Sequence, residues 1–222
     1  MRTKRVTLLA GHYGSGKTNI AVNLAMRQKA AGYSVTVADL DIVNPYYRTK
    51  DSEDELKAAG IPLISSPFAN SNVDLPALPQ ELYRIVDETD EHMVVDIGGD
   101  DRGAYALGRF SSQLKAENDY EMILVINCYR PLTGDEKETA EIMGEIEAAG
   151  HLPFTAIINN SNLGAATEPK DVLSSLAYAE AVAKETGLPL LATTVWDELY
   201  PRLEGEIDHL IPLKLQRKRL WL

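Results

Sequence analysis

The chain has 222 residues, 45% hydrophobic and 25% charged, the composition of an ordinary folded domain with one sizeable core, and a single domain over 1–222 is expected. A net charge of −11 excludes coating of nucleic acid by bulk electrostatics, which leaves one local basic cluster at Lys214, Arg217, Lys218 and Arg219. The single cysteine, Cys128, excludes an internal disulfide framework, and no run approaches the ~18 apolar residues of a membrane span, so a cytoplasmic protein is expected.

The first apolar run, Val6 to Ala10, leads straight into a glycine loop, which marks a first strand rather than a secretory leader. Short apolar runs bounded by turn residues predict strands at 5–10, 34–38, 62–65, 92–95, 122–127, 154–159 and 189–193. Between them, helical spacing predicts a helix over 18–31 with Asn19, Asn23 and Arg27 on one polar stripe and Gly32 as its stop. A second helix is expected over 135–149, stopped by Gly150, and a third over about 170–186, stopped by Gly187. Strand–helix alternation of this kind gives an α/β fold: a doubly wound, mostly parallel sheet of about seven strands with helices on both faces. The segment 66–79, with three prolines, reads as irregular. After Pro212, a short basic helix is expected, with Leu213, Leu220 and Trp221 on a shared face. Packing of that helix on the sheet or on a dimer partner is favoured over membrane contact.

Three clusters carry chemistry. "GHYGSGKTN" satisfies G-x-x-x-x-G-K-[ST] after a strand and before a helix. Glycines at 11, 14 and 16 let backbone N–H groups turn inward around phosphate oxygens. Lys17 can reach the β and γ phosphates, and the Thr18 hydroxyl can ligate Mg²⁺. In "VADLDIVNPYYR", Asp39 and Asp41 are two apart and share a side if the strand continues, where a carboxylate can orient water or hold a metal-bound water. In "MVVDIGGDDRG", Asp96 fits a metal-side carboxylate, and Gly98 and Gly99 allow a backbone N–H to approach a γ-phosphate. Asp100 and Asp101 read as caps of a helix beginning near Gly103. The nucleotide-binding set expected is therefore Gly11, Gly14, Ser15, Gly16, Lys17, Thr18 and Asn19, with Gly98 and Gly99, and the metal set is Thr18, Asp41 and Asp96.

In this order the clusters resemble the MinD/ParA group of P-loop ATPases, which includes the nitrogenase iron protein and carbon-monoxide-dehydrogenase maturation ATPases. The resemblance implies ATP and Mg²⁺ as cofactors, hydrolysis to ADP and phosphate as a conformational switch, a homodimer and a client protein. It implies that Lys17 and Asp41 act in catalysis, with Asp41 positioning the attacking water. It also implies that Asn160, in "AIINNSN", meets the purine, with Asn159 the alternative and a plain turn the competing reading. Where the group's loop carries a lysine that crosses to the partner's nucleotide, this chain has His12; Arg48, Lys50 or Arg130 could supply charge instead. The "GSGKT" run also resembles metallochaperone GTPases, but Asn159-Asn160-Ser161-Asn162 lacks their guanine-reading lysine and final Asp, so ATP is favoured. A small-molecule kinase or ligase of the dethiobiotin synthase type and a non-hydrolysing scaffold stay open. No zinc site is expected from four scattered histidines, and Cys128 reads as a buried thiol.

Overall fold

The computed structural model describes residues 4–40, 52–65, 80–87, 90–99 and 101–215. Its strands are β1 (Val6–Ala10), β2 (Val35–Leu40), β3 (Leu63–Ser65), β4 (His92–Ile97), β5 (Tyr120–Ile126), β6 (Ala156–Asn159), β7 (Leu190–Trp196) and β8 (Leu210–Leu213). They form one sheet in the order β3-β2-β4-β1-β5-β6-β7-β8, with every pairing parallel. The helices are α1 (Lys17–Ala30), α2 (Glu53–Ala58), α3 (Arg84–Asp87), α4 (Asp101–Gly108), α5 (Ser111–Glu117), α6 (Glu136–Gly150) and α7 (Pro169–Thr186). From β1 the chain crosses outward to β2 and β3, then returns through β4 and continues the other way from β5. The reversal leaves the carboxyl ends of β1 and β4 at the centre of the sheet, where α/β folds bind ligands.

Both faces of the sheet are covered, which explains the uninterrupted apolar strands. Alternate residues point to opposite faces. Leu9, Val37, Val94 and Ile123 pack under Ile20, Ala21 and Ala25 of α1 and Leu56 of α2. Leu8, Val95 and Leu124 face the other way, into Leu107 of α4, Leu114 of α5, Ile146 of α6 and Val182 of α7. Each such buried aliphatic side chain contributes roughly 1.5–3 kcal/mol.

Four expectations need correction. Among the described residues the sheet has eight strands, because residues 210–213, read as the approach to a helix, pair with β7. Leu213 therefore belongs to a strand; Pro212 is tolerated there because β8 is at an edge. The expected helix beyond it, including Arg217, Lys218, Arg219, Leu220 and Trp221, lies outside the described residues, as does the segment 66–79. Helix α4 starts at Asp101, two residues before Gly103. Gly150 is the last residue of α6, packed 3.4 Å (from an added Cβ) to the Ala104 carbonyl of α4, and His151 takes the left-handed cap with φ 51°. The other helix ends match: Asp135 Oδ1 accepts from the Lys137 and Glu138 backbone at 3.0 and 2.9 Å, and Gly187 closes α7 with φ 71°.

The polar stripe on α1 is a seam rather than a solvated face. Asn23 Nδ2 donates to the Lys214 carbonyl at 2.9 Å while its Oδ1 accepts from the Lys214 N–H at 2.8 Å. Arg27 donates to the Pro212 carbonyl at 3.1 Å. These bonds draw the edge strand against the helix that follows the glycine loop. No helix among the described residues is long and apolar enough to cross a membrane.

Candidate functional site

Strand β1 ends at Ala10 between β4 and β5, and the chain turns through residues 11–16 into α1. Gly11, Gly14 and Gly16 have φ of 142°, 76° and 91°. Gly16 is the N-cap of α1, and a Cβ there would lie 2.2 Å from Asn160 Nδ2, so conformation and space both demand glycine. No acidic residue occupies the first turn of α1, which leaves its positive end available to an anion. Ser15 Oγ is buried without a hydrogen-bond partner. Lys17 is 5% exposed, and its ammonium donates to the Gly11 and His12 carbonyls at 2.9 and 3.2 Å. A buried ammonium, an unsatisfied hydroxyl and the open end of a helix thus fall together within residues 11–18. That donor set fits a phosphate chain.

The second half of the site comes from β4. Thr18 Oγ1 donates to Asp96 Oδ2 at 2.6 Å, and Asp96 is 1% exposed. Asp96 sits beside Leu9 in register on one side and Asp39 on the other. Residues in register share a face of the sheet, so Asp39 and Asp96 both lie on the α1 side, as Leu9 does. Of the Asp39 and Asp41 pair, Asp39 is the member within the described residues, buried on β2 in register with Asp96. Asp41 itself, with Arg48, Lys50 and Asp100, lies outside the described residues. A hydroxyl and a carboxylate at 2.6 Å beside a phosphate cradle are hard oxygen donors of the kind Mg²⁺ takes. The turn after β4 packs on the loop: a Cβ on Gly99 would lie 2.6 Å from the Tyr13 nitrogen, and one on Gly103 would lie 2.7 Å from the Gly98 nitrogen.

The asparagines after β6 are woven into the protein. Asn159 is fully buried and donates to Ser175 Oγ at 2.9 Å. Asn160 Nδ2 donates to the Ser15 carbonyl at 2.6 Å, and its Oδ1 accepts from Thr194 Oγ1 at 2.6 Å. Asn160 therefore ties the glycine loop to β7. Asn162 closes the turn, donating to the Asn160 carbonyl at 2.6 Å and accepting from the Gly164 N–H at 3.0 Å. Beside the loop, a cavity of about 310 Å³ extends from Lys17, Thr18 and Asn19 past Asn160 to Trp196 and Leu215.

His12 is partly buried at the loop; desolvation, and then the neighbouring Lys17 ammonium, lower its pKa below the usual 6.5. Its imidazole is therefore neutral at pH 7 and is no stand-in for a lysine charge. Arg130 Nε donates to the Gly14 carbonyl at 3.0 Å, so this cation lies over its own loop. Cys128 is a free thiol of intermediate exposure, not the fully buried one expected.

This is the fold of the P-loop nucleoside triphosphatases, and solved structures of that class superpose on it. Chloroplast FtsY from Physcomitrella patens matches with a TM-score of 0.59 and 19% identity over 87% of this chain and 58% of its own. FtsY from Mycoplasma mycoides gives 0.58, 18%, 87% and 60%. The signal recognition particle 54 kDa protein from Aeropyrum pernix, in complex with GDP, gives 0.52, 20%, 86% and 41%. The chain thus spans about three-fifths or less of the length of these proteins. No family model and no curated protein matches it. These neighbours carry the P-loop fold and differ from the MinD/ParA group that the motifs resemble.

Proposed function

We propose that this protein is a Mg²⁺-dependent nucleoside triphosphatase that uses hydrolysis as a conformational switch. The observation that carries the reading is the Thr18–Asp96 hydrogen bond of 2.6 Å beside the glycine loop, at the central carboxyl end of the sheet. Lys17, the Ser15 hydroxyl and the loop N–H groups grip the β and γ phosphates and stabilise charge on the transferring phosphoryl. Thr18 and Asp96 would hold magnesium, which would supply charge neutralisation to the phosphate chain. Asp41, one residue past β2, positions water in line with the γ-phosphate. The Gly98–Gly99 turn touches the loop at Tyr13, so an anion that reorders residues 11–16 shifts α4 through Gly103.

The motifs favour ATP, a homodimer and a client protein on the MinD/ParA pattern. The GDP held by one fold neighbour favours a guanine nucleotide instead. Phosphate release tests the hydrolytic reading. The wild type should turn over slowly, Lys17→Ala should lose binding and turnover together, and Asp41→Ala should bind nucleotide but lose turnover by at least about 100-fold. Equal rates for wild type and Lys17→Ala contradict it.

A further inference from the structure

On the nucleotide-binding reading, we propose that the site accepts adenine and guanine nucleotides alike, holding the purine by its flat face rather than reading its edge. The cavity of about 310 Å³ has Lys17 and Thr18 at one end and Trp196, Leu213 and Leu215 at the other. A triphosphate gripped by the loop places its base at the second end. Trp196 closes β7 and stands opposite Leu213 of β8, so a flat aromatic group and two leucines form that wall. Stacking on such a wall is tolerant, because every base has a π-face.

Edge readout needs something more. Adenine and guanine differ at position 6, amino against carbonyl, and guanine adds N–H donors that a carboxylate accepts. Among the described residues lining the cavity there is no carboxylate; of the three asparagines, Asn19 follows Thr18 in the first turn of α1, at the phosphate end, and the other two are largely committed within the protein. Asn160 spends one N–H on the Ser15 carbonyl and its oxygen on the Thr194 hydroxyl, so what it has left, like Asn162, is a single N–H donor. Asn162 spends one N–H on the Asn160 carbonyl and its oxygen on the Gly164 N–H. The N–H left on Asn162 can donate to an acceptor such as N7, which both purines share. Arg130, fixed over the loop by the Gly14 carbonyl, adds a planar cation at the mouth that favours any π-face equally.

Calorimetric titration of the full chain with ATP and with GTP, magnesium present, tests this. The two dissociation constants should lie within about tenfold of each other, the discrimination of less than one good bidentate pair. A larger ratio overturns the proposal. Trp196→Ala should weaken both nucleotides by about tenfold or more, while Trp196→Phe, which keeps an aromatic face and controls for folding, should hold both close to wild type. A loss confined to one nucleotide, or none with Trp196→Ala, also overturns it. Heat from neither nucleotide with the wild type removes the nucleotide reading itself, a different failure.

Discussion

His12 occupies a loop position where the resembling family places a charge, yet its surroundings oppose charge. Desolvation first, and Lys17 second, lower its pKa from 6.5. Because the folded state binds this proton more weakly than the unfolded chain, its neutral form supports the fold above pH 6.5, and that support is lost as pH falls through and below 6.5. An NMR titration should give a midpoint below 6.5, rising in Lys17→Ala and, in the wild type, rising when Mg–nucleotide brings phosphate charge to the loop. A midpoint at or above 6.5 in the free protein contradicts this placement. Asn160 makes a second prediction. Truncation to Ala removes the bond to the Ser15 carbonyl and leaves the Thr194 hydroxyl only its longer contact of 3.3 Å to the Asn159 carbonyl, and should cost about 1–3 kcal/mol in denaturant unfolding. Lys17, Thr18 and the loop glycines were legible because phosphate binding fixes their spacing along a contiguous stretch. The double tie of Asn160 was not, since Ser15 and Thr194 lie far away in sequence and only the sheet brings them together.

At the scale of elements, the turn after β4 and the glycine loop are in backbone contact. An Ala at Gly99 must push the chain away from the Tyr13 nitrogen, 2.6 Å from the new Cβ. Gly99→Ala should therefore weaken nucleotide binding by about tenfold or more, a misplacement effect, while the core beneath it is untouched and the melting temperature falls little. Parallel loss of fold and binding would contradict that division. The α1–β8 seam predicts that Asn23→Leu, which deletes both bonds to Lys214, destabilises the protein by roughly 1–2 kcal/mol. If Asn23 were merely solvated, the change would be near zero. The seven predicted strands were legible because burial on both faces makes each an apolar run. Strand β8 was hidden by its four residues and its proline, which an edge position accepts but a sequence pattern reads as a break. Likewise Gly150 looked like a helix stop, whereas its lack of a side chain serves the close approach of α4.

For the molecule as a whole, strand order decides where the chemistry falls. The sequence shows alternating strands and helices, but the placement of β4 between β1 and β2 depends on pairing across distant segments. That placement brings Asp96 to Thr18 and sets Asp39 in register beside it. The central claim is that backbone N–H groups of residues 11–18 hold a phosphate chain beside this carboxylate. Hydrogen exchange on the full chain, with and without Mg²⁺ and ATP or GTP, measures those amides directly. The account predicts slowed exchange concentrated at residues 11–19 and at Gly98 and Gly99, abolished in Lys17→Ala. Unchanged exchange across that loop with either nucleotide would contradict it.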